Sequence, residues 1–558
     1  MEKQFKLTDE QIIKILLDGS YVDADDVKKA EDFAKKYQKS VLDYFLSQEI
    51  INEDLFGQAV AEFFGVSYAD LNTLVPSAKQ VATIPENVAR KYRVVLFSEA
   101  EGGVEITTDN PRQKELAVVL KNIFPKKKIK ISYSLSEDIN AILSQYRKPL
   151  DTRFAKIINT KNSVAPEIID EIIDDALFFR SSDIHFEPKK EEVVVRFRVD
   201  GILREAGKIP IKYYENILNM IKVQARLRID DHFSAQDGSI RVTKKDRNID
   251  LRISIVPTLS GEKIVVRVLA DYVRSLAVSD IGFSANDQDV LEKSSKKPFG
   301  MILVTGPTGS GKTTTLYSLL RQLNRPEVNI MTIEDPVEYQ ITEINQIQVN
   351  VQTNLNFAKG LRSIVRQDPD IILVGEIRDE ETAEIAVNAA LTGHLLLSTF
   401  HANDAATAIP RLLDMKIEPF LLASTLDLVI AQRLVRKVCD KCRYSFSMSQ
   451  KEIKENFSGA ETFFGKNNNT FYKGKGCDNC NHSGYIGRIA IFELIQISKE
   501  MQDLILKNPS SNQIWEIARA QGSKTLFEDG VEKVKRGITT LEELYRVAAP
   551  PEKIRLIK

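Results

Sequence analysis

The sequence predicts an α/β protein whose carboxy-terminal half is built on a parallel sheet, preceded by a smaller α+β sheet domain and an α-rich amino-terminal domain. Three observations carry that expectation. From about residue 278, short and wholly apolar runs alternate with helical stretches: Met301-Ile-Leu-Val304, Ile330-Met-Thr-Ile333, Ile371-Ile-Leu-Val374 and Leu395-Leu-Leu397. Strands buried on both faces read this way. Between 166 and 275 a helix is followed by period-two strands. Before residue 75 the apolar residues recur at helical spacing.

Length and composition bound the reading. A chain of 558 residues suits several domains. With 43% hydrophobic and 28% charged residues, it is neither disordered nor fibrous. The 77 Lys+Arg and 78 Asp+Glu leave a net charge of −1, which excludes a general polyanion-coating role but not a local basic patch.

The elements follow in order. Residues 1–75 read as short amphipathic helices. Leu7-Thr-Asp-Glu10 has the form of an N-cap followed by acids in a first turn, after which Ile12, Ile13, Leu16 and Leu17 repeat at helical spacing. Val41, Tyr44, Phe45 and Leu46, and then Leu55, Val60, Phe63 and Phe64, do the same. Residues 76–148 mix helix with the short strands Val94-Val-Leu-Phe97 and Val104-Glu-Ile-Thr107. There the basic Lys126-Lys-Lys-Ile-Lys130 reads as a solvated edge strand.

Together, 1–148 form the amino-terminal domain. A linker is expected over 149–165, where Asn159-Thr-Lys-Asn-Ser163 has no clear period. The domain over 166–275 opens with a helix from Pro166 to Phe179. Its strands include Val193-Val-Val-Arg-Phe-Arg-Val199, Ile249-Asp-Leu-Arg-Ile-Ser-Ile255 and Lys263-Ile-Val-Val-Arg-Val-Leu269. The domain over 278–558 holds the parallel sheet, a cysteine-bearing subdomain over 436–490 and carboxy-terminal helices. No apolar run approaches the ~18–20 residues that crossing a bilayer needs. The first twenty residues carry acids and no h-region, so the chain is expected in the cytoplasm.

The strongest local signal is the loop Gly306, Pro307, Thr308, Gly309, Ser310, Gly311, Lys312, Thr313, which matches G-x-x-x-x-G-K-[ST] between an apolar strand and a helix-forming stretch opened by Thr314. Glycines there let backbone N–H groups turn inward around phosphates, where a helix N-terminus adds a favourable dipole. Lys312 is placed to reach the β- and γ-phosphates of a nucleotide such as ATP, and Thr313 to ligate Mg²⁺. Acids follow neighbouring strands, where α/β ligands bind. Glu376 ends Asp370-Ile-Ile-Leu-Val-Gly-Glu376, in place of a Walker-type Asp, and is suited to order the Mg²⁺ hydration shell or polarise water. Glu334 and Glu338 in Glu334-Asp-Pro-Val-Glu338 are candidates to bind the nucleotide or accept a proton from a hydrolytic water. His394 and His401 bracket an apolar strand, as structural histidines or as a γ-phosphate sensor.

All four cysteines of the chain fall in Cys439-Asp-Lys-Cys442 and Cys477-Asp-Asn-Cys480. The interval between the pairs is longer than in the commonest zinc knuckle, yet two such pairs can close a tetrahedral site. In a reducing compartment this argues for a structural Zn²⁺ over a disulfide, with free thiols or a redox pair as the alternative.

The boxes together resemble the secretion ATPases of type IV pilus assembly and type II secretion systems. Besides the loop at 306–313, the chain carries Thr332-Ile-Glu-Asp-Pro-Val-Glu338, Asp368-Pro-Asp-Ile-Ile-Leu-Val-Gly-Glu-Ile-Arg-Asp379 and Thr392-Gly-His-Leu-Leu-Leu-Ser-Thr-Phe-His-Ala-Asn403. The preceding domain adds Ser182-Asp-Ile-His-Phe-Glu-Pro188, Arg196-Phe-Arg-Val-Asp-Gly201, Gln236-Asp-Gly238 and Asp250-Leu-Arg-Ile-Ser254. The likeness covers about 160–550. It departs at Ala235 and Ser239, where the family usually has Pro and Arg.

The resemblance implies a RecA-like P-loop ATPase domain behind a PAS-like sheet domain. It implies Glu338 as general base, Glu376 as the Walker B acid and His394 with His401 as sensor. It also implies Arg252 and Arg267 as arginines presented to the phosphates; read alone, both suit a solvated strand face. It further implies a homo-hexameric motor, peripheral at the inner membrane, that drives a platform protein together with cytoplasmic pilus-base proteins. The cysteine site resembles the assembly and secretion branches more than the retraction branch. The amino-terminal residues resemble, more weakly, domains of which some bind cyclic di-GMP through repeats beginning Arg-Leu-Gly. The corresponding Lys39-Ser-Val-Leu-Asp-Tyr-Phe-Leu46 lacks that signature, so protein docking is expected there instead. A nucleic-acid translocase is disfavoured because no Lys/Arg cluster accompanies the boxes. A nucleotide-dependent scaffold is disfavoured because Lys312, Glu338 and Glu376 are intact.

Overall fold

The computed structural model describes residues 7–37, 40–48, 50–100, 102–143, 146, 150–160, 164–244, 247–269, 276–350, 352–466 and 469–551. The chain divides into two units, Met1–Pro149 with Cys477–His482, and Leu150–Gly476 with Ser483–Lys558.

In the first unit, amphipathic spacing produces the helices Asp9–Asp18, Ala24–Tyr37, Val41–Ser47 and Glu53–Phe64. Thr8 caps the first: the Gln11 amide donates to Thr8 Oγ1 at 3.3 Å, and the Thr8 amide donates to Gln11 Oε1 at 2.9 Å. Ile12, Ile15, Leu16, Val41, Phe45 and Val60 share one core. Leu17, Leu55 and Phe63 stay exposed, because a 3.6-residue period carries part of an apolar run round to solvent. The strands β1 (Ser67–Tyr68), β2 (Val94–Ala100), β3 (Gly103–Thr108) and β4 (Lys128–Tyr133) form a sheet of order β1-β4-β3-β2. Strand β1 pairs with β4 only at Ser132 and Tyr133, so exposed Lys128 and Lys130 lie on an open edge, as the charge pattern predicts. Lys39, the first residue of the stretch compared with cyclic di-GMP repeats, falls outside the described residues.

The second unit opens with a correction. Leu150–Thr160, expected within a linker, is a helix, and Leu150, Phe154 and Ile157 are buried in the core of the following sheet domain. Their i, i+4, i+7 spacing was obscured by the polar residues that follow. Residues 161–163 and 270–275, which include the expected end of that domain, fall outside the described residues.

Six strands, β5 (Asp183–Pro188), β6 (Glu192–Val199), β7 (Ile202–Pro210), β8 (Gln236–Lys244), β9 (Arg247–Thr258) and β10 (Gly261–Leu269), form a sheet of order β7-β6-β5-β10-β9-β8. It is antiparallel throughout. Ile184, Phe186, Phe197, Ile253 and Val266 alternate onto the face that meets the helices Val164–Phe178 and Tyr214–Gln224. Arg196, Arg252 and Arg267 alternate onto the other face.

The larger sheet comprises β11 (Gly300–Thr305), β12 (Ile330–Glu334), β13 (Asn345–Gln348), β14 (Ile371–Val374), β15 (Leu395–Phe400), β16 (Leu426–Val438) and, later in the chain, β19 (Tyr485–Gln496). Its order is β13-β12-β14-β15-β11-β16-β19, with apolar cores on both faces. All neighbours are parallel except β16 and β19. The parallel sheet is as expected, and β19 adds one antiparallel strand at its edge. The chain leaves β16 into the hairpin β17 (Arg443–Met448) and β18 (Asn469–Gly474) rather than a crossover helix, so it returns antiparallel. Four helices between Lys499 and Val547 follow. Among the described residues, no helix is long and apolar enough to cross a membrane.

A buried ion pair joins a helix of the smaller sheet domain to its sheet. Lys222 is 0% exposed and pairs with Glu262 at 2.7 Å, while Lys222 Nζ donates to the Asp231 carbonyl at 2.8 Å. Lys222→Met removes the buried cation from Glu262 and leaves that carboxylate, 6% exposed, with only the half-exposed His232 at 2.7 Å. Urea unfolding is expected to show a loss of about 3–5 kcal/mol; a loss under about 1 kcal/mol would make the pair an incidental contact.

Candidate active site

The loop after β11 is shaped by glycines with positive φ: Gly306 at 147°, Gly309 at 78° and Gly311 at 88°. At two of them a side chain has no room. A Cβ on Gly306 would stand 2.5 Å from the Gln432 carbonyl oxygen, and one on Gly311 would stand 2.8 Å from Gln432 Nε2. Gln432, on β16 and 1% exposed, is the strut of the loop. Its amide donates to the Ser310 carbonyl at 2.9 Å, and Thr315 Oγ1 donates to its Oε1 at 2.7 Å. The helix Lys312–Leu323 begins at Gly311 with no side-chain cap. Its first N–H groups, with Thr313 and Thr314 in the same turn, are therefore open to an anion. Lys312 Nζ donates to the carbonyls of Gly306 at 2.8 Å and Pro307 at 3.1 Å. Burial pulls its pKa below the ordinary lysine value, partly offset by the charge of Glu376.

Other cations nearby are likewise met by main-chain carbonyls. Arg433 Nη2 donates to the Asn403 carbonyl at 3.1 Å, and Arg411 donates to that of His401. Burial also lowers the pKa of Arg433. Gln432 and Arg433 were missed from the sequence. Their signal was a polar pair breaking the otherwise apolar run Leu428–Val435.

The acids divide into three environments. Glu334, the last residue of β12, is 3% exposed. It accepts from Tyr317 Oη, from Thr332 Oγ1 at 2.6 Å and from Gln346 Nε2 at 3.3 Å, and burial raises its pKa. The structure thus places Glu334 beneath the loop that follows β12, with both oxygens already engaged. Glu338, on that loop, pairs with Arg252 of the antiparallel sheet at 3.3 Å, and Arg252 also donates to the Val337 carbonyl. Glu376 follows β14 and pairs with Arg378 at 2.5 Å and His401 at 3.1 Å.

The remaining candidates separate. Arg267 lies opposite Arg252 in the β9–β10 ladder, is 56% exposed and pairs with Asp183 at 3.3 Å. His394 is not brought to the loop. Gly300 pairs with Leu395 and Thr305 with Phe400, so His394 stands at the opposite end of β15 from His401, roughly 20 Å away at the rise of a strand. Its Nδ1 meets the Ala389 carbonyl at 2.8 Å. Two histidines around one strand look adjacent in sequence, but six extended residues carry them to opposite edges of the sheet.

Cys439, Cys442, Cys477 and Cys480 present their sulfurs within 4.8 Å of one another. Backbone N–H groups of Gly476 and Cys477 donate to the sulfurs of Cys442 at 3.3 Å and Cys480 at 3.2 Å. Four converging soft donors of this kind fit a Zn²⁺ ion.

Residues 159–546 match the family described as type II/IV secretion system protein, and residues 64–153 match the MshEN domain. A type IV pilus assembly ATPase PilB of Pseudomonas aeruginosa is 34% identical over 557 residues, 95% of this chain and 97% of its own. A type II secretion system protein E of the same species is 44% identical over 380 residues, 68% of this chain and 74% of its own. The type IV pilus assembly ATPase PilB of Thermus thermophilus is 36% identical over 88% of this chain, which spans only 57% of that longer relative. Among solved structures, the ATPase DotB of Legionella pneumophila aligns with a TM-score of 0.51 at 20% identity, over 69% of this chain and 96% of its own, a likeness of fold.

Gln432→Ala removes both bonds that brace the phosphate loop. At about 1 kcal/mol per bond, nucleotide affinity is expected to fall about 10- to 30-fold in a fluorescent-nucleotide titration. Unchanged affinity would mean that the glycine turn holds its shape without the strut.

Proposed function

We propose, from the premise that this chain belongs to the type II/IV secretion system protein family, that it is an ATP-hydrolysing motor powering assembly of a type IV pilus through a membrane platform protein. The observation that carries this reading is the convergence of an uncapped, lysine-bearing phosphate loop with Glu338, Glu376 and an arginine from a separate sheet domain. The pilus assignment draws on likeness over nearly the whole chain to PilB relatives. Type II secretion is the second reading, favoured by the higher identity of its relatives over the shared core. A homo-hexamer, peripheral at the inner membrane through protein partners, suits either reading.

The chain's own groups perform the steps. Backbone N–H groups from Gly306 to Thr313 receive the β- and γ-phosphates, and Lys312 trades two carbonyl partners for phosphate oxygens. Thr313 would hold Mg²⁺, with Glu376 ordering its hydration shell, and the ion supplies charge neutralisation on the phosphates. In the observed arrangement the Glu338 carboxylate is tied to Arg252. A γ-phosphate competes for that guanidinium, and the released Glu338 takes a proton from the attacking water. Because Arg252 belongs to the antiparallel sheet and Glu338 to the larger one, the exchange couples hydrolysis to a rotation of one domain against the other. Arg267, next to Arg252, adds a second cation as the cleft closes. His401 orients Glu376. The four cysteines would hold Zn²⁺, a structural cross-link that leaves no open position for chemistry.

Two measurements test these roles. Slow Mg²⁺-dependent ATP hydrolysis by the purified hexamer is expected, falling at least about 100-fold in Glu338→Gln while ATP binding persists; wild-type turnover in that variant would remove Glu338 as base. Elemental analysis is expected to find zinc equimolar with the chain, lost with a lowered Tm in Cys442→Ser. Four titratable thiols and no metal in the native protein would overturn the zinc site.

A further inference from the structure

The phosphate-loop helix and the loop bearing Glu338 are joined by a side chain that neither the motif nor the mechanism above uses. Tyr317 is fully buried on the helix Lys312–Leu323, between one and two turns from Lys312. Its hydroxyl donates to the Glu334 carboxylate. The same oxygen accepts the backbone N–H of Glu338 at 3.2 Å. Its ring meets Tyr339 edge-on, with centroids 4.7 Å apart and an interplanar angle of 79°. Glu334 is itself held by Thr332 and Gln346, and burial raises the pKa of both Tyr317 and Glu334. The phenol therefore stays protonated and keeps its donor on Glu334, which leaves its lone pairs for the Glu338 N–H and, at 3.4 Å, for Gln346 Nε2.

The segment it grips is the one that the other domain also grips. Arg252 donates to the Val337 carbonyl and pairs with the Glu338 carboxylate. Val337–Glu338 is thus held from the phosphate-loop helix by Tyr317 and from the antiparallel sheet by Arg252. An apolar filler at position 317 would need no hydroxyl. A phenol whose single oxygen both donates and accepts, inside a core otherwise lined by Ile302, Leu316 and Leu320, serves a directional purpose.

We propose that Tyr317 is a positioning residue for hydrolysis: through its hydroxyl, the helix that receives the phosphates sets where Glu338 stands relative to Arg252. This rests on the reading of Glu338 as base.

The test is a double-mutant cycle on the full chain. Tyr317→Phe is expected to lower kcat about 10- to 100-fold, the cost of a small misplacement of a reacting group, with the Kd for ATP kept within about twofold. In the Glu338→Gln background, under single-turnover conditions, the same change is expected to cost less than about threefold, because its effect passes through Glu338. Glu334→Gln keeps the volume, weakens the anchor of the phenol from its other end and is expected to repeat the pattern, so a folding defect in one variant does not decide the outcome. Wild-type kcat in Tyr317→Phe, a loss of ATP affinity in place of kcat, or full additivity with Glu338→Gln overturns the role of Tyr317 alone. Full hydrolysis in Glu338→Gln overturns the base assignment and this proposal together.

Discussion

Parallel pairing of β11, β15, β14 and β12 is the constraint on which the site depends. Parallel neighbours end at the same edge, so the segments that follow each strand are delivered side by side however far apart they lie in the chain. The phosphate loop follows β11, His401 follows β15, Glu376 follows β14 and Glu338 lies just beyond β12. The same geometry excludes His394, which precedes its strand and is left at the other edge. The strand β16, between β11 and β19, takes part as well, since it runs parallel to β11 and brings Gln432 under the phosphate loop.

Charge at that edge is unbalanced by design. Lys312, Arg411 and Arg433 are satisfied by main-chain carbonyls, which stabilise a cation less than a carboxylate does. Burial of Lys312 and Arg433 raises the stakes, and on the proposed reading a phosphate entering the loop would gain more from such cations than from ones already neutralised. The acids show the complementary arrangement: Glu338 and Glu376 are tied to cations that can be exchanged, whereas Glu334 is enclosed by neutral donors and supports the loop from below.

The antiparallel sheet contributes through its polar face. Its apolar face is closed by helices, including the early helix Leu150–Thr160, which leaves Arg252 and Arg267 standing side by side on the other. A rigid ladder presents these guanidiniums together, and the reach of Arg252 to Val337 and Glu338 makes the small sheet domain part of the site rather than an appendage.

Residue type and spacing alone determined the phosphate loop, the alternation of apolar strands and helices around it, the paired cysteines and the acids placed after strands, because each is a local pattern whose chemistry depends on neighbours a few residues away. The six-stranded sheet was half legible: β6, β9 and β10 alternate cleanly, while β5, β7 and β8 carry polar or glycine-broken runs that pairing stabilises and pattern does not reveal. The helix at 150–160, the antiparallel return of β19, the separation of the two histidines and the burial of Glu334 were decided only by tertiary structure. So were the struts Gln432 and Tyr317. Their roles depend on partners 122 and 21 residues away along the chain, for Ser310 and Glu338 respectively, and the distance between such residues is set by strand order and register, which no local period encodes.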